Sequence, residues 1–351
     1  MNRLTSITNG LKRVCSFSCS LRLIIFVFLK HQEKTMNFST KIPIPDSNYP
    51  IDYTSKIMSL GSCFAENMAA KFDYFKFQNN VNPFGIIFNP VAIERIIQRI
   101  VTKEVFTEKD LFFHNERWHC FEVHSDLSHA DKEQLIQNLN EIIELTYTQL
   151  ISLSHCIITF GTAWVYRNIA SNEVVANCHK VPQNQFIKEI LSIENITLSI
   201  QNTIDFIRSI NPNCHFIFTI SPVRHLKDGF VENQRSKAHL IAAIHSTYNS
   251  KFITQNYFPS YEIMMDELRD YRFYAEDMLH SSTTAIDYIW ELFCESTINK
   301  NSFAVMQEVN NIQKAKAHLP FNPNAKSHLS FLESIQKKVE TLQKTHPFMQ
   351  F

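Results

Sequence analysis

Glycine is scarce in this chain, which holds only 5 among its 351 residues. Glycine adopts positive φ without strain and lets other groups approach the backbone closely, so we expect so few to stand where those properties matter. Gly61, Gly85 and Gly161 each follow a predicted strand or begin a loop. A turn or a helix entry explains any one of them. The three together predict a shared crevice at the carboxyl ends of parallel strands.

The sequence also lacks an excess of charge, a long apolar run and a cysteine motif. Its 34 basic and 34 acidic side chains balance, so nothing indicates a nucleic-acid surface or a polybasic membrane patch. No run of about 18 apolar residues is present, which predicts no stable membrane span. The 8 cysteines include no CxxC pair and no disulfide or zinc pattern, so we expect reduced thiols in a cytoplasmic protein.

The pattern along the chain predicts one central domain with an extension at each end. Residues 1–35 place basic residues before a short apolar stretch, which is faintly similar to a signal or anchor, but we expect a non-core extension. Residues 36–298 form the predicted domain. Residues 299–351 are polar, with one helical stretch, and predict a helical appendage.

Within residues 36–298, short apolar runs alternate with amphipathic stretches. KIMSL (56–60), HCIITF (155–160) and HFIFTI (215–220) predict buried strands, and Asn89-Pro90 is typical of a helix start. Further helices are predicted at about 131–150, 197–210, 233–250 and 283–298. This alternation predicts a three-layer α/β/α sandwich around a parallel sheet. Residues 103–130, rich in aromatics and histidine, interrupt it and predict a hairpin or lid insertion.

Two nucleophile candidates stand side by side in the stretch SLGSCFAE (59–66), where a strand turns into a helix. Serine needs a base to take its proton, and the sequence FYAEDMLHSS places Asp277 three residues before His280. A carboxylate at that spacing can orient the imidazole and stabilise its protonated form. The turn favours Ser62, because the side chain of the next residue, Cys63, is expected to point away from the crevice.

Several ordered motifs carry a resemblance to a known family: GSCFA (61–65), NPFGIIFNP, FGTAWVY, NCHKVP, SPVRHLKDG and DYRFYAEDMLH. Over roughly residues 36–298 the chain resembles the GSCFA family, a branch of the SGNH/GDSL-like hydrolases. The resemblance implies a flavodoxin-like sandwich and ester hydrolysis or acyl transfer through a serine acyl-enzyme, without a cofactor. It further implies Ser62 as nucleophile, His280 as general base and Asp277 as its orienter, with N–H groups of Ser62 and Gly85 in the oxyanion hole.

One loop departs from the pattern of the wider SGNH group. In that group the third loop reads GxND, and its asparagine completes the oxyanion hole. Here the loop reads GTAW (161–164), with Ala163 in the asparagine position. Thr162 or Asn177 is the candidate replacement donor, and the sequence does not decide between them.

Three residues after predicted strands are candidates for binding substrate. Trp164 is suited to line an acyl or sugar pocket, although core packing explains it equally well. His179 follows the VVAN run, and Arg224 offers a planar fork of donors to an anionic or carbonyl group. A salt bridge that fastens a loop is an equal explanation for Arg224.

Four histidines recur at intervals of five residues in the aromatic-rich insertion, namely His114, His119, His124 and His129. That spacing keeps the side chains on one face of neither a strand nor a helix, so a lid is a better explanation than a metal site. We therefore expect no metal.

Together these features predict a serine esterase that hydrolyses small acyl esters, with O-acetylated sugars and glycan esters as the substrate class that the resemblance suggests. An O-acyltransferase with the same triad is the first alternative. A non-catalytic binding module that keeps the crevice is the second. The presence of Ser62, Asp277 and His280 together speaks against it, while the alanine at position 163 keeps it open. The sequence predicts no nucleic-acid partner and does not indicate the oligomeric state.

Overall fold

The computed structural model describes residues 39–248, 255–318, 321–322 and 324–351, so the predicted extension at 1–35 lies outside the described residues. Residues Ile42–Phe351 form one compact unit. The strands are β1 (Lys56–Gly61), β2 (Gln78–Val81), β3 (Leu111–His114), β4 (Arg117–Cys120), β5 (His155–Phe160), β6 (Trp164–Asn168), β7 (Val174–Val175), β8 (Phe186–Ile190), β9 (His215–Ile220) and β10 (Gln255–Phe258). The longer helices are α1 (Cys63–Tyr74), α2 (Pro90–Thr102), α3 (Lys132–Ile151), α4 (Ile193–Ile210), α5 (Phe230–Tyr248), α6 (Thr283–Thr297), α7 (Phe303–Ala317) and α8 (Lys326–Thr345).

The central sheet has five strands in the order β10-β9-β5-β1-β2, and every neighbouring pair is parallel. Counted along the sheet's own strands this is the flavodoxin-like order 2-1-3-4-5, so the predicted fold class is confirmed. Gly61 pairs with Thr159, and Phe160 pairs with Ile220, so the carboxyl ends of β1, β5 and β9 meet at one edge. The loops that leave this edge carry most of the candidate site residues.

Alternating side chains divide the sheet between two apolar cores, as expected for strands buried on both faces. In β5, Cys156, Ile158 and Phe160 face one core, while Ile157 faces the other. Apolar side chains of α2, α3, α4 and α5 complete the first core, and those of α1, α6, α7 and α8 complete the second. The helices therefore cover both faces of the sheet and form the outer layers of the sandwich.

Helix starts follow the capping residues of the sequence. Asn89 caps α2, accepting the N–H of Ala92 at 2.8 Å, as predicted. Helix α4 begins four residues earlier than predicted, at Ile193, because Ser192 accepts the N–H of Asn195 at 3.2 Å. Helix α5 begins at Phe230, directly after Gly229.

The aromatic-rich insertion contains an antiparallel hairpin of β3 and β4, with Leu111 opposite Cys120. A buried ion pair fastens its base, where Arg99 Nε of α2 lies 2.8 Å from Glu122 Oε2. A small antiparallel sheet in the order β7-β6-β8 follows, and the sequence pattern did not predict it. Its strands have only two to five residues, too short for a clear alternation.

Helices α7 and α8 pack on the second core at the carboxyl end of the chain. Their buried side chains are Met306, Val309, Ile312, Ile335, Val339 and Leu342. None of the helices formed by the described residues is long and apolar enough to cross a membrane.

Candidate active site

The turn between β1 and α1 holds Ser62 at the edge of the sheet. Gly61 has φ +129°, and a Cβ at this position would lie 2.1 Å from the carbonyl oxygen of Thr159, so only glycine fits. Ser62 is the N-cap of α1, and its Oγ accepts the N–H of Phe64 at 3.3 Å. The turn therefore brings a serine hydroxyl to a helix N-terminus, where backbone N–H groups favour negative charge.

Asn82, after β2, fastens this turn from the neighbouring strand. Its Oδ1 accepts the N–H of Gly61 at 2.8 Å, and its Nδ2 donates to Glu66 Oε1 at 3.3 Å. The backbone of Asn82 has φ +42° and takes part as well, donating to Ser59 O and accepting from Gly85 N. Sequence reasoning missed this residue, whose positive φ and buried amide serve the turn on the next strand.

Asp277 and His280 form a hydrogen-bonded pair, as their spacing predicts. His280 Nδ1 lies 2.6 Å from Asp277 Oδ2, and Asp277 Oδ1 accepts the N–H groups of Leu279 and His280 at 2.9 and 3.0 Å. The N–H of His280, its ring and the N–H of Leu279 lower the pKa of Asp277 to about 2. The carboxylate is therefore ionised throughout the neutral range and holds the Nδ1 proton of the imidazole, which leaves Nε2 to accept one.

Two contacts connect the Asp277–His280 loop and the β9 loop with the edge of the sheet. Arg224, in the loop after β9, donates its backbone N–H to Leu279 O at 3.1 Å. His225 Nε2 lies 3.3 Å from the position that a Cβ on Gly161 would take. Among the described residues, Ser62 Oγ forms a hydrogen bond with Phe64 N and none with His280. Catalytic hydrogen bonds are often long before substrate binds, so the absence of this bond does not conflict with a Ser–His pair.

The four oxyanion candidates differ in whether their donors are already used. Ser62 N donates to Thr159 O at 3.1 Å, and Gly85 N donates to Asn82 O at 2.7 Å. Thr162 Oγ1 lies 2.8 Å from Ser236 Oγ and accepts the N–H of Trp164 at 3.0 Å. Asn177 Oδ1 accepts the N–H of His179 at 2.8 Å, and its Nδ2 has no acceptor within the described part of the chain.

The predicted substrate-binding residues differ in their surroundings. Trp164 Nε1 donates to Glu232 O at 3.3 Å, which places the indole against α5. His179 is buried under the hairpin, where Nε2 lies 2.7 Å from Cys120 O and burial lowers the pKa of the ring to about 4. Neither residue forms a hydrogen bond with Ser62, Asp277 or His280 in the described part of the chain.

Arg224, by contrast, lies beside the Asp277–His280 loop. Its guanidinium stacks 3.6 Å from the ring centroid of Tyr274 and 5.0 Å from that of Tyr271. Its Nε is buried without a hydrogen-bond partner, and no carboxylate among the described residues pairs with the group. The salt bridge that the sequence left as an alternative is absent there, and the guanidinium instead packs on aromatic rings.

Cys63, the other nucleophile candidate, is the first residue of α1 and is half-buried. Burial, together with the negative charge of Glu66, raises the pKa of its thiol. A thiol with a raised pKa carries less of the reactive thiolate at neutral pH, so this environment does not activate Cys63.

The four histidines of the insertion form contacts with protein groups. His119 Nδ1 lies 2.6 Å from Ser128 Oγ and its Nε2 lies 2.9 Å from His114 O, while His129 Nδ1 accepts the N–H of Asp131 at 3.0 Å. His124 packs against Gly85 and pairs with Asp126 at 3.1 Å. Within the described ranges, no group of three or more His, Cys, Asp or Glu residues is placed to hold a metal ion.

Two further residues at this edge were absent from the predicted site. His225 has a buried Nε2 without a partner; burial, then the charges of Lys237 and His280, lower the pKa of its ring to about 3. Lys237 of α5 is 1% exposed and donates to Gly161 O and Ser221 O, each at 2.7 Å. His225 belongs to the SPVRHLKDG motif of the family resemblance, but Lys237 stands in a polar helical stretch that gave no signal.

Comparison with known proteins gives matching family models and similar solved structures. Similar structures include a carbohydrate esterase family 3 protein from Talaromyces cellulolyticus, with 8% identity and a TM-score of 0.32 over 73% of this chain and 99% of that one. Another is an acetyl xylan esterase (Est2A) from the rumen bacterium Butyrivibrio proteoclasticus, with 10% identity and a TM-score of 0.35 over 73% of this chain and 66% of that one. Comparison with curated proteins gives no match.

The family models cover most of the described unit. The model of the GSCFA family matches residues 56–293, and the model of the GSCFA domain protein, C-terminal domain, matches residues 309–351. The first match includes the Ser62 turn, the Asn177 loop, Arg224 and the Asp277–His280 pair. The chain therefore belongs to the GSCFA family.

Proposed function

We propose that this protein is a serine esterase that hydrolyses small acyl esters, with O-acetylated sugars as the substrate class to test first. The observation that carries the proposal is the 2.6 Å hydrogen bond between His280 Nδ1 and Asp277 Oδ2, in a loop attached to the edge where Ser62 begins α1. A carboxylate that orients an imidazole beside a serine at a helix N-terminus is the arrangement that activates a hydroxyl for attack on an ester.

In the proposed reaction, Ser62 Oγ attacks the ester carbonyl carbon while His280 Nε2 takes the hydroxyl proton. Asp277, ionised at neutral pH, stabilises the protonated imidazole. The bond between the carbonyl carbon and the leaving oxygen then breaks, and His280 returns the proton to that oxygen, releasing an alcohol. Water, deprotonated by His280, attacks the acyl group on Ser62, and the acid leaves as the serine recovers its proton.

The oxyanion formed in each half-reaction needs donors. We propose the N–H groups of Ser62 and Gly85, which now donate to Thr159 O and Asn82 O, because a backbone N–H can be shared between two acceptors. Asn177 is the proposed third donor, in place of the asparagine of the wider SGNH group, since its Nδ2 has no acceptor among the described residues. Thr162 is the weaker candidate, because its hydroxyl already pairs with Ser236 at 2.8 Å.

Two residues are proposed to bind substrate on the basis of their surroundings. Arg224 combines a cation stacked on Tyr274 with a buried, unpartnered Nε close to the Asp277–His280 loop. Trp164 presents a half-exposed indole at the start of β6. His179 remains a proposal with less support, because its ring is buried under the hairpin.

Labelling with a fluorophosphonate probe, alongside turnover of a chromogenic acetate ester, tests the proposal. We expect Ser62→Ala and His280→Ala to abolish labelling and to lower kcat by about 10⁴-fold or more. The neighbouring substitution Cys63→Ala is the matched control and should leave both unchanged. Ester turnover that survives Ser62→Ala would overturn the serine assignment, and loss of turnover in Cys63→Ala alone would transfer the role to the thiol.

Product analysis then separates the alternatives. Release of free acid at the same rate with and without an added alcohol supports hydrolysis, whereas a new ester that forms at the expense of acid shows acyl transfer. A wild-type protein that neither labels nor turns over esters, yet binds an acetylated glycan, is instead a binding module.

A further inference from the structure

A lysine is fully buried beneath the candidate active site. Lys237 lies in the middle of α5, which packs on the first apolar core, and its side chain is 1% exposed. No carboxylate among the described residues pairs with it. Lysine is almost never buried without a paired charge, because removing the ammonium group from water is costly. This position therefore needs an explanation that ordinary core packing does not give.

The contacts of Lys237 connect two strand ends. Its Nζ donates to Gly161 O and to Ser221 O, each at 2.7 Å, and these residues directly follow β5 and β9. Both carbonyl groups belong to loops that leave the sheet at the edge where Ser62 lies. An ammonium group has three N–H donors, so one remains after these two bonds.

The titratable groups that face Lys237 come from three other elements. They are Cys63 at the start of α1, His225 in the loop after β9, and Tyr261 after β10, whose ring centroid lies 5.4 Å from Nζ. Burial lowers the pKa of Lys237 to about 7, which the negative thiolate form of Cys63 opposes. The charge of Lys237 in turn lowers the pKa of Cys63 against the larger effect of burial.

The position of Cys63 shows where this charge acts. Cys63 is adjacent to Ser62, and Ser62 N donates to Thr159 O, two residues before Gly161 on β5. The carbonyl group that Lys237 binds, Gly161 O, is therefore two residues along the chain from the carbonyl group that accepts the N–H of Ser62. A polar but neutral side chain, such as glutamine, would satisfy two carbonyl groups at a lower desolvation cost. The lysine adds a positive charge at this place.

We propose that Lys237 is a positioning residue of the active-site edge, which fixes the Gly161 and Ser221 carbonyl groups and holds a positive charge at the strand ends near Cys63. The second half of its role, support for the negative charge that develops when Ser62 attacks, rests on the proposed esterase function. The charge also acts on Cys63, and that effect does not depend on any catalysis.

Alkylation of Cys63 by iodoacetamide directly tests whether the charge of Lys237 acts on this thiol. The rate is followed by mass spectrometry of the Cys63 peptide, with Cys178 as the internal reference, since Cys178 is also half-buried but responds to Lys227 instead. We expect Lys237→Met to lower the Cys63 to Cys178 rate ratio by about 3-fold to 10-fold at pH 6–7, as removal of a nearby cation raises a thiol pKa. An unchanged ratio in a folded variant would overturn the proposal.

A second variant separates charge from hydrogen bonding. Lys237→Gln keeps N–H donors for carbonyl groups but has no charge, so it should match Lys237→Met in the alkylation ratio. If Lys237→Met does not fold, Lys237→Gln and the wild-type pH dependence decide: the wild-type Cys63 alkylation rate should depart from a single ionisation near neutral pH, because the pKa of Cys63 rises as Lys237 loses its proton. A wild-type rate that follows one ionisation across this range, as in Lys237→Gln, contradicts the proposal.

Fluorophosphonate labelling of Ser62 tests the part that rests on the esterase function. We expect both variants to slow labelling by about 10-fold to 100-fold and to remove one ionisation from its pH profile. A wild-type protein that shows no labelling refutes the esterase function, while the Cys63 ratio still tests the field of Lys237. Normal labelling and an unchanged pH profile in Lys237→Gln would refute only one part of the proposal, namely that Lys237 supports the negative charge that develops when Ser62 attacks.

Discussion

The side-chain oxygen of Asn82 accepts the N–H of Gly61 at 2.8 Å, so a residue after β2 fixes the turn that presents Ser62. The backbone carbonyl of Asn82 also accepts the N–H of Gly85 at 2.7 Å, so one buried amide residue holds both Gly61, next to Ser62, and the predicted oxyanion N–H of Gly85. The geometry of the candidate site is thus held by the strand beside β1 as well as by the turn itself.

Substitution of Asn82 by alanine should loosen this turn. It leaves the Gly61 N–H without its acceptor inside the protein and puts alanine at φ +42°, so we expect a loss of about 2–4 kcal/mol in the free energy of unfolding. Asn82→Asp keeps a side-chain oxygen that accepts the Gly61 N–H, and aspartate tolerates this backbone conformation. We therefore expect a smaller loss in the free energy of unfolding, even though the new carboxylate faces Glu66. Urea denaturation of the two variants measures the difference, and equal losses would contradict the role of the acceptor.

Gly61 and Gly229 offer a comparison between a clash and backbone strain alone. Both have positive φ, +129° and +92°, but a Cβ at Gly61 would lie 2.1 Å from Thr159 O, whereas a Cβ at Gly229 would have nothing within 4 Å. We expect Gly229→Ala to cost about 1–3 kcal/mol through strain. Gly61→Ala should cost clearly more, because the strands must separate. Equal losses of thermal stability in the two variants would show that β1 and β5 can separate at Gly61 at little cost.

The sequence predicted those features that depend on neighbours along the chain. Buried apolar runs predicted β1, β5 and β9, Asn89 predicted the start of α2, and the three-residue spacing predicted the contact between Asp277 and His280. Each of these depends on periodicity, a cap or a turn within a few residues. The family resemblance added the order of the site motifs, which single elements do not contain.

What the sequence did not predict depends on contacts between distant elements. Asn82 is 21 residues from Gly61, and Lys237 is 76 residues from Gly161, so no local pattern indicates either contact. Lys237 lies in the polar stretch ENQRSKAH, which reads as a solvated helix until α5 is placed on the sheet. His179 was expected near the crevice because it follows a strand-like run, but the hairpin covers it.

Replacement of Asp277 by asparagine should separate catalysis from stability. Asparagine leaves the imidazole without its charged partner and favours the wrong tautomer, so we expect kcat for ester hydrolysis to fall by about 10²-fold to 10⁴-fold. The pair is exposed, so the free energy of unfolding should stay close to that of the wild type. Parallel kinetics and urea denaturation check both statements. A large loss of stability with normal kcat would assign Asp277 to loop structure.

The pH dependence of that variant adds a second check. The pKa of Asp277 is lowered to about 2, so its carboxylate stays ionised as the pH falls from neutral until near that value. An acid limb that lies well above this value in the activity profile must therefore belong to a group other than Asp277. An acid limb that disappears in Asp277→Asn without loss of maximal rate would show instead that Asp277 itself titrates there.

Lys237 should leave a signature in the pH dependence of stability. Its pKa is lowered to about 7 from an ordinary value of 10.5, so between these values the unfolded chain binds a proton that the folded chain does not. Stability from this group therefore rises with pH, by about 1.4 kcal/mol per pH unit. Relative to Lys237→Met, the wild type should gain about 2–3 kcal/mol between about pH 7.5 and about pH 9.5.

Urea denaturation across this pH range measures that difference, and the comparison with a variant cancels the contributions of tyrosines and cysteines that lie away from Lys237. The hydrogen bonds that methionine cannot make to Gly161 O and Ser221 O shift the curve by an amount that does not depend on pH, so only the slope reports the buried charge. Lys300→Met, at a lysine whose side chain is 76% exposed, is the matched control and should give a flat difference. A flat difference for Lys237→Met as well would mean that Lys237 remains protonated throughout, because its environment then stabilises the ammonium group as well as water does.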